Sequence, residues 1–105
     1  METFIYWINF KKYMPDEKLA RALGSRVRRD IIHALMKQEL SVHEIAERFN
    51  IGEVNSSKHL KKLYDLGILN TRQEGRVRYY SIRIKELANL IKWYDIVASK
   101  MRGVK

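Results

Sequence analysis

A mainly α-helical domain with one small β-ribbon (α+β) is predicted by three observations. Five stretches between residues 16 and 101 repeat apolar residues at helical spacing, most behind a capping residue. Between Ile68 and Ile82 the period shortens to that of a strand pair around Glu74-Gly75. The 105 residues, 46% of them hydrophobic, suit one domain around one core.

The elements follow in order. Residues 3–13 can form a short helix with Thr3 as its N-cap. Phe4, Trp7 and Ile8, with Tyr6, Phe10 and Tyr13, are too much apolar surface for a solvated arm, and a partner subunit is the expected cover. Pro15, the one proline, ends this aromatic segment (1–14). A helix then runs from Asp16 to Leu23, and Gly24 is expected to stop it in the left-handed conformation. Ser25 caps a helix from Arg26 to about Gln38, whose apolar positions are Val27, Ile31, Ile32 and Leu35. Ser41 caps the next, and Glu44 three residues on completes a capping box. Asn50-Ile51-Gly52 is a short turn, and Gly52 caps a helix from Glu53 to Leu66 with Ser56, Leu60 and Leu63 inward. Gly67 stops it. Strands at Ile68–Gln73 and Arg76–Ile82 follow, then a last helix from Lys85 to Met101.

The net charge is +9. Residues 1–50 contribute nine Lys/Arg against seven Asp/Glu (+2), and residues 51–105 twelve against five (+7). An excess concentrated in one half points to a polyanionic partner. The chain has no cysteine, which excludes disulfides, thiolate metal sites and cysteine nucleophiles. The apolar start Phe4–Ile8 is far shorter than the ~20 residues of a membrane span, so a cytoplasmic protein without membrane contact is expected. No Gly-rich phosphate loop and no nucleophile with a spaced histidine-acid pair is visible, so the protein is read as no enzyme.

Residues 41–82 carry the chemistry. Two short helices across a three-residue turn (41–66), followed by a ribbon (68–82), make a winged helix-turn-helix. A helix fits the major groove, where each base pair shows its own pattern of donors and acceptors. At about 100° per residue, Val54, Ser57, Lys58 and Lys61 share a face opposite Ser56, Leu60 and Leu63, with Asn55 and Lys62 at its flanks. Ser57 and Lys58 suit base edges or phosphates, and Val54 suits a thymine methyl. Lys61 and Lys62 suit phosphates, which add affinity without sequence information. By itself such a face is equally the wet side of an amphipathic helix. Arg72, Arg76 and Arg78 around the Glu74-Gly75 turn tip the balance, because arginine at a ribbon tip suits the minor groove or its phosphates.

The run Ile51-Gly52-Glu53-Val54-Asn55-Ser56-Ser57-Lys58-His59-Leu60-Lys61-Lys62-Leu63 resembles the recognition helix of the ArsR-type winged-helix repressors. Glu74-Gly75-Arg76-Val77-Arg78-Tyr79-Tyr80-Ser81-Ile82 is similar to that family's wing, and Arg28-Arg29-Asp30-Ile31-Ile32 to its preceding helix. The resemblance implies a homodimer joined through terminal helices on a near-palindromic operator. It also implies DNA contacts at Glu53, Val54, Ser57, Lys58 and His59, with Arg76 on the wing. Two positions depart from the family pattern: Val54 stands for a small polar residue and Ser56 for an apolar one. The family's thiolate site would need cysteines where this chain has Leu40-Ser41-Val42-His43, and its other site histidines on the last helix, where there are none. No metal and no cofactor are therefore expected.

Leu87, Leu90, Ile91, Tyr94 and Met101 lie along one face of the last helix and, with Phe4, Trp7 and Ile8, are the expected dimer contacts. Trp93 and Ile96 give that helix a second apolar side, so one side can pack on its own domain and another on a partner. The leading reading is a homodimeric regulator of double-stranded DNA that represses. Its rivals are a non-specific architectural DNA-binding protein and a winged-helix protein-interaction module.

Overall fold

A computed structural model describes residues 16–103. The expected helix at 3–13 and the contacts assigned to Phe4, Trp7 and Ile8 lie outside the described residues.

Helices α1 (Asp16–Leu23) and α2 (Arg26–Lys37) lead to a two-residue strand, β1 (Leu40–Ser41). Helices α3 (Val42–Phe49) and α4 (Glu53–Asp65) follow, then β2 (Leu69–Glu74), β3 (Val77–Ile82) and α5 (Leu87–Arg102). Ser25 caps α2 by accepting from the Arg28 amide at 3.3 Å. Ser41 and Glu44 exchange the two bonds of a capping box at α3, 3.1 and 2.8 Å long. Gly24 ends α1, but not in the left-handed conformation, since among the described glycines only Gly67 and Gly75 have positive φ. The Gly24 amide simply continues the helical ladder to the Ala20 carbonyl at 2.9 Å. The left-handed cap of the next turn falls instead to Asn50 (φ 52°), a residue type that tolerates it.

The antiparallel sheet has the order β1-β3-β2. Strand β1 was not visible in the sequence, because two residues are too few to show alternation. It pairs Leu40 with Tyr80 and Ser41 with Tyr79. Ser41 is thus both a sheet residue and the cap of α3, and this ties the ribbon to the start of the helix-turn-helix.

One core unites the elements. Ile31, Ile32, Ile45, Leu60, Leu63 and Ile91 are wholly buried, with Leu40, Leu69, Tyr80 and Leu87 around them. Leu87 and Ile91 therefore do not belong to the expected subunit contact. They face inward, so the inner face of α5 is spent on its own domain. The other expected residues of this helix, Leu90, Tyr94 and Met101, stay exposed, together with Trp93 and Val97.

Candidate nucleic-acid interface

Helix α3 braces α4 through their shared core residues, which leaves α4 with a dry and a wet side. On the dry side Ser56 is wholly buried beside Leu60 and Leu63. Its hydroxyl donates to the Gly52 carbonyl at 3.0 Å, and this satisfied bond explains how a serine occupies an apolar position. On the wet side Val54 is 69% exposed, and Asn55, Ser57, Lys58, Lys61 and Lys62 are exposed as well. Val54, Ser57, Lys58 and Lys61 share a shallow groove of about 440 Å³ with Glu53 and with Val42 of α3. The grouping read from the helical wheel is thus the grouping in space.

Three of the expected contact residues on α4 are engaged with other side chains. His59 is half-buried, and its Nδ1 lies 3.3 Å from Arg28 Nη1. Guanidinium is always a donor, so His59 accepts through Nδ1 in its neutral form. Burial, first, and then the charges of Arg28 and Lys62 hold its pKa below the ordinary value. Glu53, at the first turn of α4, lies 2.7 Å from His43 Nδ1, whose other nitrogen is 3.2 Å from Glu47. Those carboxylates, Glu53 foremost through its hydrogen bond, raise the His43 pKa. Lys61 is paired with Asp65 at 2.9 Å, which raises its pKa.

The wing arginines do not form one surface. Strands β2 and β3 place Arg72 opposite Tyr79 and Gln73 opposite Arg78, so Arg72 and Arg78 occupy opposite faces of the ribbon. Arg78 donates to Thr71 Oγ1 at 3.1 Å. Arg76 follows Gly75 in the turn, where Gly75 has φ 62° and no contact of the described residues binds Arg76 in place. Arg72 departs from the expected role as a free cation. It donates to both oxygens of Glu39 at 2.7 to 3.0 Å and to Glu74 at 2.6 Å, and stacks over Tyr79 with its guanidinium 4.4 Å from the ring centre. Those bonds raise its pKa, and the Arg72 hydrogen bond lowers that of Glu39. Arg72 is a strut fastening the ribbon to the loop before β1. Tyr79 and Tyr80, adjacent on β3, point to opposite faces of the ribbon, with Tyr80 buried.

Sequence reasoning missed Glu39, Arg28 and Asp65. Asp65 had a local signal, its four-residue spacing from Lys61. Glu39 reaches Arg72 across 33 positions and Arg28 reaches His59 across 31, distances at which no local pattern exists. Among the described residues no group of three or more His, Cys, Asp or Glu side chains is placed to hold a metal ion.

A braced helix with an exposed polar face, followed by a registered two-strand wing, is a winged helix-turn-helix, a DNA-binding architecture. Residues 25–71 match the family described as bacterial regulatory protein, arsR family. The chain is 30% identical over 73 residues, 70% of its length and 81% of the relative's, to the transcriptional repressor SdpR of Bacillus subtilis. It is 31% identical over 74 residues, 70% of its length and 68% of the relative's, to the transcriptional activator HlyU of Vibrio cholerae. Reduced HlyU superposes with a TM-score of 0.69 at 28% identity, covering 78% of this chain and 86% of that one. The homodimeric winged helix-turn-helix DNA-binding domain of a Mycobacterium bovis protein gives 0.71 at 27% identity, covering 80% and 78%. This chain belongs to the ArsR family of bacterial transcription regulators.

Proposed function

We propose that the protein is a homodimeric, sequence-specific regulator of double-stranded DNA that represses transcription in the cytoplasm, with no cofactor and no catalytic step. Helix α4 lies in the major groove and the wing lies on the minor groove or the backbone. Val54, Asn55, Ser57 and Lys58 meet base edges, while Lys61, Lys62, Arg76 and Arg78 meet phosphates. Glu53 and His59 sit at the margins of that surface, and Arg72 positions the wing.

The observation that carries the reading is the wet side of α4. It presents uncharged groups that can read bases, Val54, Asn55 and Ser57, among cations that hold phosphates. A purely electrostatic binder has no use for the uncharged ones. The named function of SdpR supports repression, and the homodimeric Mycobacterium bovis domain supports a dimer. Among the described residues no helix is long and apolar enough to cross a membrane.

Binding to a set of genomic fragments across a salt series tests the proposal, with Ser57→Ala/Lys58→Ala alongside. The wild type should select one or a few fragments, weaken steeply with salt, and owe its selectivity to Ser57 and Lys58. Equal affinity for every fragment would replace this reading with an architectural protein.

A further inference from the structure

Helix α4 has a second furrow on the side away from α3. Lys18 and Arg21 of α1 line it together with Lys58, Lys61 and Lys62 of α4, in a groove of about 470 Å³. Five cations stand there against one carboxylate, Asp65, and Asp65 is itself held by Lys61 at 2.9 Å. Ala22 and Leu66 supply the apolar part of the wall.

The furrow has a built geometry. Arg28 donates through Nε to the Ala22 carbonyl at 2.9 Å and through Nη2 to the Arg21 carbonyl at 3.2 Å, while its Nη1 reaches His59 of α4 at 3.3 Å. One guanidinium therefore fixes the end of α1 against α4, and with it the separation of the two cationic walls.

Lys58 and Lys61 line this furrow and also the one containing Val54 and Ser57. They form the crest between the two. A helix with its side chains is about 10–12 Å across and the major groove about 12 Å wide, so a helix seated there has a sugar-phosphate strand along each flank. Cations on the flank meet that strand rather than base edges.

Resting on the DNA-binding reading of α4, we propose that the α1–α4 furrow is a backbone clamp. It receives the DNA strand bordering the occupied major groove, with phosphates between Lys18, Arg21 and Lys62 and deoxyribose against Ala22 and Leu66. Its ligand is the phosphodiester backbone irrespective of sequence. The clamp contributes affinity, and Lys58 with the opposite furrow contributes selectivity.

The test uses the full chain, the tightest duplex selected from a random library, and a random-sequence duplex, titrated over a salt series. Lys18→Gln/Arg21→Gln should weaken binding to both duplexes by the same factor and keep their ratio. The slope of log affinity against log salt should become shallower by about 2. Asp65→Asn removes the one opposing charge and should strengthen binding to both. A loss of folding could mimic the first result but not the second, so the clamp requires both. An unchanged slope in the double variant, or no gain in Asp65→Asn, overturns it while leaving the DNA-binding reading intact. A wild type that binds neither duplex overturns that reading instead.

Discussion

Ser56 and Leu60 are both wholly buried on α4, yet they respond differently to truncation. The Gly52 carbonyl that accepts from the Ser56 hydroxyl also accepts from the Ser56 amide at 2.9 Å. Removing the hydroxyl leaves no buried acceptor without a partner, and alanine is the better helix former. Ser56→Ala should therefore change stability by less than about 1 kcal/mol, whereas Leu60→Ala leaves a cavity and should cost about 2–5 kcal/mol. Denaturant unfolding of the two variants checks the contrast, and a large loss in Ser56→Ala would contradict this account of the serine. The two perturbed histidines oppose each other in pH. The His43 pKa is raised from 6.5, so its contribution is complete below the ordinary value and is lost as pH rises through the raised one. The His59 pKa is lowered from 6.5, so its contribution is complete above the ordinary value and is lost as pH falls through the lowered one. Melting temperatures measured from about pH 5 to about pH 8 should show His59→Gln flattening the acid limb and His43→Gln the alkaline limb. The reverse assignment would overturn the two sets of contacts.

Among the elements, the wing shows how a surface feature is aimed. Its two strands are held to the body by β1 on one side and by the Arg72–Glu39 contact midway along the ribbon, while Gly75 at the tip has the positive φ that other residues resist. Gly75→Ala leaves open space around the new methyl, so its cost is backbone strain alone, about 1–2 kcal/mol. Arg72→Gln releases the strut and should weaken DNA binding through a looser wing without altering which fragment is preferred. Fragment selection and unfolding read on the same two variants separate aim from stability. Unchanged affinity in Arg72→Gln would mean that the strut has no part in binding. The caps at Ser25 and Ser41, the inward set Ser56, Leu60 and Leu63, and the switch of period at the ribbon were legible because each is written within a few residues. What the sequence left dark is long-range or a matter of phase. The partner that makes Arg72 a strut is Glu39, far away in the chain. The apolar faces of α5 adjoin, so Leu87 and Ile91 could not be told from Leu90 until the core claimed them. Gly24 illustrates a third limit, since a glycine permits the left-handed cap without requiring it.

For the whole molecule the open question is what covers α5. Leu90, Trp93, Val97 and Met101 recur at three- and four-residue spacing on the side away from the core, and Trp93 and Met101 are 62% and 73% exposed. Tyr94 lies beside them under the Arg29 guanidinium, 4.7 Å away, and His33 meets Asp95 at 2.8 Å, so two contacts hold α5 on α2 while its outer stripe remains open. A second copy presenting the same stripe would bury both and place two recognition helices to reach major grooves about 34 Å apart. Trp93→Glu puts a charge in the middle of that stripe without touching the core. It should leave the folded monomer intact but convert dimer to monomer in sedimentation. Aromatic anchors at such contacts are worth about 2 kcal/mol or more each. Binding should then separate by the length of the DNA. The variant should hold a single half-site as the wild-type protomer does, yet lose the additional affinity for a duplex with two half-sites, because that gain comes from tethering one protomer to the other. Ile91→Glu, aimed into the core from the same helix, should unfold the chain instead. If Trp93→Glu remains a dimer with full two-site affinity, the subunit contact lies elsewhere on the chain and the α5 stripe is not its seat.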